Sequence, residues 1–418
     1  MNNFRATAKH GFFNIDAINP IRGSEQRSQQ HTIKTKKGDK LAIYTFIDAF
    51  GWEIYQQYGF LNELLPHARR LETTFGFSSA ADPSILTGRY PDEHTHWSSF
   101  NYDPKNSPFK FCKYLSFLPK IIFDRFRPRH YLSKLMKYFY GYTGYFEIYS
   151  VPFAHLPYFD YLEKYDYFVP NGILKTDTIF DWCVTNDVPY HCSNWRKSET
   201  YNIAALKEKI DEKDIEFSYL YLQTLDGVMH TYGTQHDKTK EKLQWLENQI
   251  SEVYEYANDI YDEVSLHIFS DHGMCDTQNS VDLISVINKS SLVYGTDYVA
   301  MYDSTMARFW FLNNEAKETI KNILETIKDG SIIKKDELKQ MHVYFEDRRF
   351  GELFFLTNPG ILINPSYFGL KVIPGMHGFH PNDKDSNALM FSSTNINENI
   401  QSITDIRKVM EKEIRNEK

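Results

Sequence analysis

Cysteine is scarce in this chain. Cys112, Cys183, Cys192 and Cys275 are the only four in 418 residues, with no CxxC or other paired spacing. That excludes a disulfide framework and suits reduced thiols in an intracellular protein. Long apolar runs are absent as well: no stretch of about 18 apolar residues occurs, so nothing reads as a transmembrane span. The first 38 residues are polar, carry a Lys-Thr-Lys-Lys run and lack the apolar core of a secretory signal. They read as a tail or wrapping segment, and the chain as a cytoplasmic protein. Positive charge is not in excess; the net charge is −8, which excludes nucleic-acid binding driven by the charge of the whole molecule. Internal repeats and low-complexity segments are missing too.

Apolar and aromatic residues are plentiful. Hydrophobic residues make up 42% of the chain, enough for one large α/β domain over residues 39–418. Residues 41–47 (LAIYTFI) form a near-continuous apolar, β-branched and aromatic run, as a strand buried on both faces does, and end in Asp48. Residues 217–225 (FSYLYLQTL) repeat the pattern and end in Asp226; residues 264–270 (VSLHIFS) do so again and end in Asp271. Three buried strands, each delivering an Asp at its carboxyl end, place those acids where open parallel sheets build their sites. Between them, residues 238–260 carry Leu243, Leu246, Ile250, Val253, Ala257 and Ile260 on one helical stripe. Residues 176–185, followed by Val188-Pro-Tyr-His, read as another helix-to-strand unit. Two insertions interrupt this rhythm, at about 101–170 and about 276–371, and are expected to cap the carboxyl edge. The second mixes a helix over 315–329 with strand-like runs at 308–312 and 353–356.

Six candidate metal ligands lie along this framework: Asp48, Asp226, His230, Asp271, His272 and His377. Hard oxygens with imidazoles suit a pair of divalent ions, best zinc, with manganese also acceptable. Two ions roughly 4 Å apart clamp the attacking and leaving oxygens of a displacement at phosphorus. Singly these residues are weak signals, since an Asp after a strand is usually a turn or cap residue. Their conjunction is stronger. If the chain turns helical at Asp226, His230 faces the same point one turn on. Gly273 lets the backbone turn sharply after Asp271-His272, and His377 sits between Gly375-Met376 and Gly378.

The segments FIDAFGW at Asp48, SILTGRYP at 84–91, LDGVMHTYG, SDHGM and GMHGFHP resemble the alkaline phosphatase superfamily, in its nucleotide pyrophosphatase/type I phosphodiesterase branch. They run in that family's order from Asp48 to His377. The resemblance implies a three-layer α/β/α core with a mostly parallel sheet. It implies one zinc on Asp226, His230 and His377, and another on Asp48, Asp271 and His272. It places the nucleophile at a helix N-terminus nine positions before Thr87-Gly88, which is Ser78, with Ser79 as the neighbouring alternative. The implied chemistry is attack of Ser78 on phosphorus, a covalent phosphoseryl ester, and its hydrolysis. The branch usually carries Thr-Phe-Pro-Asn where this chain has Ser78-Ser-Ala-Ala, and Asn where this chain has Ser99. Ser99, or Asn101 close by, is the expected substitute for holding a phosphoryl oxygen. A sulfatase is excluded, because the Pro and Arg of its nucleophile motif are missing after Ser78.

The expected activity is therefore hydrolysis of a phosphodiester or phosphoanhydride bond in an anionic substrate: a nucleotide, a glycan or a lipid-linked ester. Alternatives that stay open are a phosphomonoesterase, a phosphoryl transferase and a non-catalytic binding protein on the same scaffold. The 107–140 stretch stands apart, with eight Lys or Arg against the single acid Asp124 and many aromatics. It reads as a solvated helix pair, as a cap gripping an anionic substrate, or as a peripheral membrane contact. Nucleic acid is disfavoured. His94 and His96 read as surface residues rather than supports of the site.

Overall fold

The computed structural model describes residues 38–115, 117, 126–395 and 399–415. The expected N-terminal tail, up to residue 37, lies outside the described residues, as do Lys120, Asp124 and Arg125 of the basic stretch. A six-stranded sheet is built from β1 (Gly38–Ile47), β2 (His67–Leu71), β3 (Tyr190–Cys192), β4 (Phe217–Leu222), β5 (Tyr261–Phe269) and β6 (Ala388–Ser392), in the order β2-β6-β5-β1-β4-β3. The run β5-β1-β4-β3 is parallel, and β6 is antiparallel to both of its neighbours. The main helices are α1 (Ser78–Thr87), α2 (Phe126–Tyr140), α3 (Glu199–Glu212), α4 (Thr224–Tyr232), α5 (Asp237–Ile260) and α6 (Ile406–Arg415).

β1 shows why the sheet sits between two helical layers. Its side chains alternate in direction. Leu41, Ile43 and Ile47 pack into a core with Leu206 of α3 and Leu246, Ile250 and Val253 of α5. Ala42, Tyr44 and Phe46 point the other way, into a core with Ile85 of α1 and Met410 of α6. A strand buried at every position from Leu41 to Ile47 needs cover on both faces, and that is the three-layer α/β/α arrangement.

The two interruptions share one further core. Phe100, Phe109, Met136, Phe146 and Tyr161 pack together with Leu283, Tyr302, Phe309, Ile320 and Phe355. The later segment supplies a four-stranded antiparallel sheet of Tyr298–Tyr302, Met306–Phe311, Leu353–Thr357 and Gly330–Ile333. Neither stretch could bury its aromatics alone; each covers the other.

Local boundaries differ from the sequence reading in two places. The 217–225 run leaves the sheet at Leu222, and Thr224 opens α4, so Asp226 lies in the first turn of a helix rather than at a strand end. The cause is Glu199, whose two carboxylate oxygens accept from Thr224 N (2.8 Å) and Thr224 Oγ1 (2.6 Å) and start that helix. α1 opens at Ser78, the helix N-terminus that the resemblance implies, and holds Pro83 inside it. The helix expected over 315–329 is Asn314–Glu325. Among the described residues no helix is long and apolar enough to cross a membrane.

Candidate active site

Because β1, β4 and β5 run parallel, the segments after them meet at one edge. Asp48 follows β1 directly, and its N–H donates to Leu222 O at the end of β4 (3.0 Å). Ala49 takes a left-handed φ of 61°, which turns its N–H onto Asp271 Oδ1 at 3.1 Å. His272 N donates to the same oxygen at 3.0 Å, so two amides hold that side of the carboxylate and leave Oδ2 for the site. The turn after β1 and the turn after β5 touch at their glycines. A Cβ on Gly51 would lie 2.3 Å from Gly273 Cα, so neither backbone could close in with a side chain there.

The six acid and histidine residues gather into two adjoining groups. Asp226, His230 and His377 form one, and Asp48, Asp271 and His272 the other; within each, one potential ligand atom per residue lies within 4.8 Å of the others. The i, i+4 spacing on α4 brings His230 Nε2 to 3.2 Å from Asp226 Oδ1. His377 Nε2 is 3.6 Å from the same oxygen. The His377 ring stacks on His272 with centroids 3.8 Å apart, joining the groups. His230 Nδ1 donates to Gly375 O (2.8 Å) and His272 Nδ1 to Gly273 O (2.9 Å), which turns Nε2 of each ring into the site.

Ser78 completes the cluster. It is the first residue of α1, capped by Phe77, and its Oγ is 3.2 Å from His272 Nε2. Ser99 and Asn101 are held differently. Ser99 Oγ donates to Glu163 Oε1 at 2.6 Å, and Asn101 pairs with Asp160 in a short strand ladder, its Oδ1 buried without a hydrogen-bond partner. His94 is buried rather than on the surface, with Nε2 3.0 Å from Ser84 Oγ, and His96 contacts Tyr167 OH at 2.7 Å. These two rings brace the far side of α1.

The electrostatics are those of crowded acids away from water. Burial, then repulsion from Asp271 and Asp226, raises the Asp48 carboxyl well above the ordinary range. Burial works against ionised Asp226 too, but His230 and the other two histidines hold its pKa below the usual carboxylate value. Burial would lower His272, yet Asp271 and Asp226 push it up to about 9. His377 is driven well down by burial and by His272. Four buried atoms of these residues have no hydrogen-bond partner: Asp48 Oδ1, Asp226 Oδ1, Asp271 Oδ2 and His377 Nδ1. Buried acceptors left this way are what cations satisfy, and the hard oxygen–imidazole set fits two divalent ions.

Two carboxyls escaped the sequence reading. Asp82 lies one helical turn after Ser78, on the same face of α1, buried and with Oδ1 unpartnered. Burial, then Asp271 and Glu163, raises its pKa well above the ordinary value. The i, i+4 spacing from Ser78 was the signal available for it. Glu163 is pushed by burial up to about 7, and no spacing in the sequence links it to the site. Its folded pKa lies above its ordinary value of 4.5, so the folded state keeps a proton that the unfolded chain gives up. The resulting cost is absent below pH 4.5, grows up to pH 7 and is constant above. Glu163→Gln is therefore expected to gain stability relative to wild type across that window, by at most about 3 kcal/mol. Melting curves at pH 5 and pH 8 test this; an equal offset at both values contradicts it.

A sequence profile of the type I phosphodiesterase/nucleotide pyrophosphatase family matches residues 46–380. The chain belongs to that family and is an enzyme of its nucleotide pyrophosphatase/phosphodiesterase kind, which is metal-dependent with a two-metal site. No curated protein sequence matches it as a relative. Among solved structures, murine ectonucleotide pyrophosphatase/phosphodiesterase 5 superposes with a TM-score of 0.62 at 15% identity, covering 90% of this chain and 95% of that one. The human protein of the same name gives 0.65 at 11% identity, with the same coverage. An inactive variant of the murine protein, in complex with AMP, gives 0.62 at 15% identity over 90% and 95% of the two chains. At these identities the likeness is one of fold.

Proposed function

We propose that the chain hydrolyses a phosphodiester or phosphoanhydride bond of a nucleotide-type substrate, with Ser78 as the nucleophile between two zinc ions. The observation that carries the reading is the position of Ser78 Oγ, 3.2 Å from His272 Nε2 at the N-terminus of α1, with the His272 ring stacked on His377 of the other acid–histidine group. Asp226, His230 and His377 would hold one ion, and Asp48, Asp271 and His272 the other; three Asp and three His favour zinc, with manganese acceptable. Bound divalent cations would neutralise phosphoryl charge and lower the pKa of a coordinated hydroxyl.

The chain's own residues supply positioning. The first turn of α1 offers backbone N–H groups and a positive helix end to the phosphoryl oxygens. A Ser78 Oγ–P bond forms as the P–O bond to the leaving group breaks, and water then cleaves the phosphoseryl ester and restores the hydroxyl. The Phe77 ring, edge-on to His377 with centroids 5.6 Å apart and stacked on Phe368 at 6.2 Å, offers an apolar face for a flat leaving group. The AMP bound by the murine relative agrees with a nucleotide class of substrate. Ser99, engaged by Glu163, and Asn101 remain the proposed contacts to the substrate's phosphoryl group. Placement in the cytoplasm belongs to the same proposal.

Among the described residues, no Lys or Arg ion-pairs with Ser78 or the six ligands, and a monoesterase needs added positive charge for its second anionic oxygen. Zinc-reconstituted protein is thus expected to prefer bis-p-nitrophenyl phosphate over p-nitrophenyl phosphate by about a hundredfold in kcat/KM. A preference for the monoester would move the enzyme to phosphatase chemistry. Transfer of the phosphoryl group to added alcohol in excess of water would mark a transferase.

A further inference from the structure

Helix α2 is amphipathic the wrong way round for a helix packed on a core. Its inward face is polar. Arg129 is buried and donates to Tyr149 O (3.1 Å) and Val151 O (2.6 Å), while Ser133 donates to Glu147 Oε1 at 2.7 Å. His130 Nδ1 lies 2.9 Å from Glu147 Oε2, while Met136 enters the core from this face and half-buried Leu132 packs against it. The outward face is apolar. Tyr131, Leu135, Tyr138 and Phe139, at i, i+4, i+7 and i+8, are 68%, 52%, 82% and 74% exposed. A core-packed helix turns such a stripe inward. Here the helix is pinned by its polar side, and the aromatic stripe faces solvent.

Charge frames the stripe. Arg127 and Lys134 are exposed beside it on α2, and the helix contains no Asp or Glu. Two turns of 3-10 helix, Lys110–Leu115, add exposed Lys110 and Lys113, with Lys113 Nζ 4.8 Å over the ring of Tyr114, itself 65% exposed. In a chain of net charge −8, an aromatic stripe with a purely basic border is a local inversion of the surface. Large exposed apolar patches mark interaction sites, and this composition matches anionic lipid headgroups over an acyl boundary.

We infer that α2 and the Lys110–Leu115 turn dock on the surface of anionic phospholipid bilayers, with Tyr131, Leu135, Tyr138 and Phe139 in the interface and the basic residues on the headgroups. The same outward stripe on a neutral or oppositely charged border would fit a second copy; the basic border on an acidic protein favours lipid. This goes beyond the hydrolytic reading and stands whether or not Ser78 is the nucleophile.

The test is co-sedimentation of the full chain with vesicles of phosphatidylcholine alone and of phosphatidylcholine with phosphatidylserine at about 3:1. Binding is expected to be at least about tenfold stronger to the mixed vesicles, and to weaken in high salt. Lys134→Glu is expected to lower that binding by about fivefold or more, and Tyr138→Ser with Phe139→Ser by about tenfold or more, with turnover of a soluble diester unchanged. Both changes fall on exposed positions, so the variants should keep the wild-type melting temperature. Equal sedimentation of wild type and both variants, or none with either vesicle, overturns the inference. Self-association in sedimentation equilibrium that the aromatic double variant abolishes, without vesicle binding, assigns the stripe to a second copy and overturns it too.

Discussion

Ser78→Ala is expected to lower turnover of a diester by about a thousandfold or more, with the melting temperature essentially unchanged. The change deletes one hydroxyl at the first position of α1, whose contact is with His272 rather than with the helix backbone, so the helix start is left as it is. What disappears is the hydroxyl placed against His272 of the ligand cluster. Two companion variants separate the nucleophile from its surroundings. Ser78→Thr keeps a hydroxyl at the same atom and is expected to retain activity within about tenfold. Ser79→Ala is expected to have little effect. If Ser79→Ala is the inactive variant and Ser78→Ala is not, the assignment moves by one residue. Steady-state kinetics with zinc-loaded protein and circular dichroism decide among these outcomes.

Stripping divalent ions is expected to abolish activity and to lower the melting temperature by on the order of 10 °C. Three carboxylates, Asp48, Asp226 and Asp271, converge out of water, and each presents an oxygen without a hydrogen-bond partner. Cations that bind only the folded arrangement would stabilise it by about 4 kcal/mol for each site at a thousandfold excess over Kd. Ligation also displaces protons, since imidazole and carboxylate must be free to coordinate. Without cations His272 holds a proton up to about pH 9, so ion affinity is expected to rise with pH below that value. Calorimetric melting of chelator-treated protein, with zinc added back, checks both effects. A transition that zinc does not move would contradict the two-ion site. Asp271→Asn, which keeps the acceptor for Ala49 N and His272 N, should reproduce the loss of zinc response in the folded chain.

Much of this site was legible because buried parallel strands write an unmistakable pattern. The run before Asp48 is apolar at nearly every position, the run before Asp271 sets apolar residues around Ser265 and His267, and the structure places both acids just past strand ends at one sheet edge. Asp226 was harder. Leu225 beyond Gln223 and Thr224 lets the run read on toward Asp226, and the contact from Glu199, twenty-odd positions earlier, turns the chain into α4 there. The two insertions could be recognised as interruptions but not as partners, because a shared core leaves no local period in either segment. Ser99 is engaged by Glu163, a contact across 64 positions that spacing cannot report. Asp82 was within reach, since it follows Ser78 by one helical turn, but an Asp inside a helix looks like ordinary solvated polarity until its burial is seen.

The central claim is that Ser78 carries the phosphoryl group between two displacements. The most direct measurement is acid quenching of the zinc-loaded enzyme during turnover of a diester, followed by mass spectrometry of the peptides spanning Phe77 to Arg89. The account predicts a phosphoryl adduct on Ser78 that is absent from Ser78→Ala. An adduct on Ser79, or full turnover with no adduct on the protein, would contradict it.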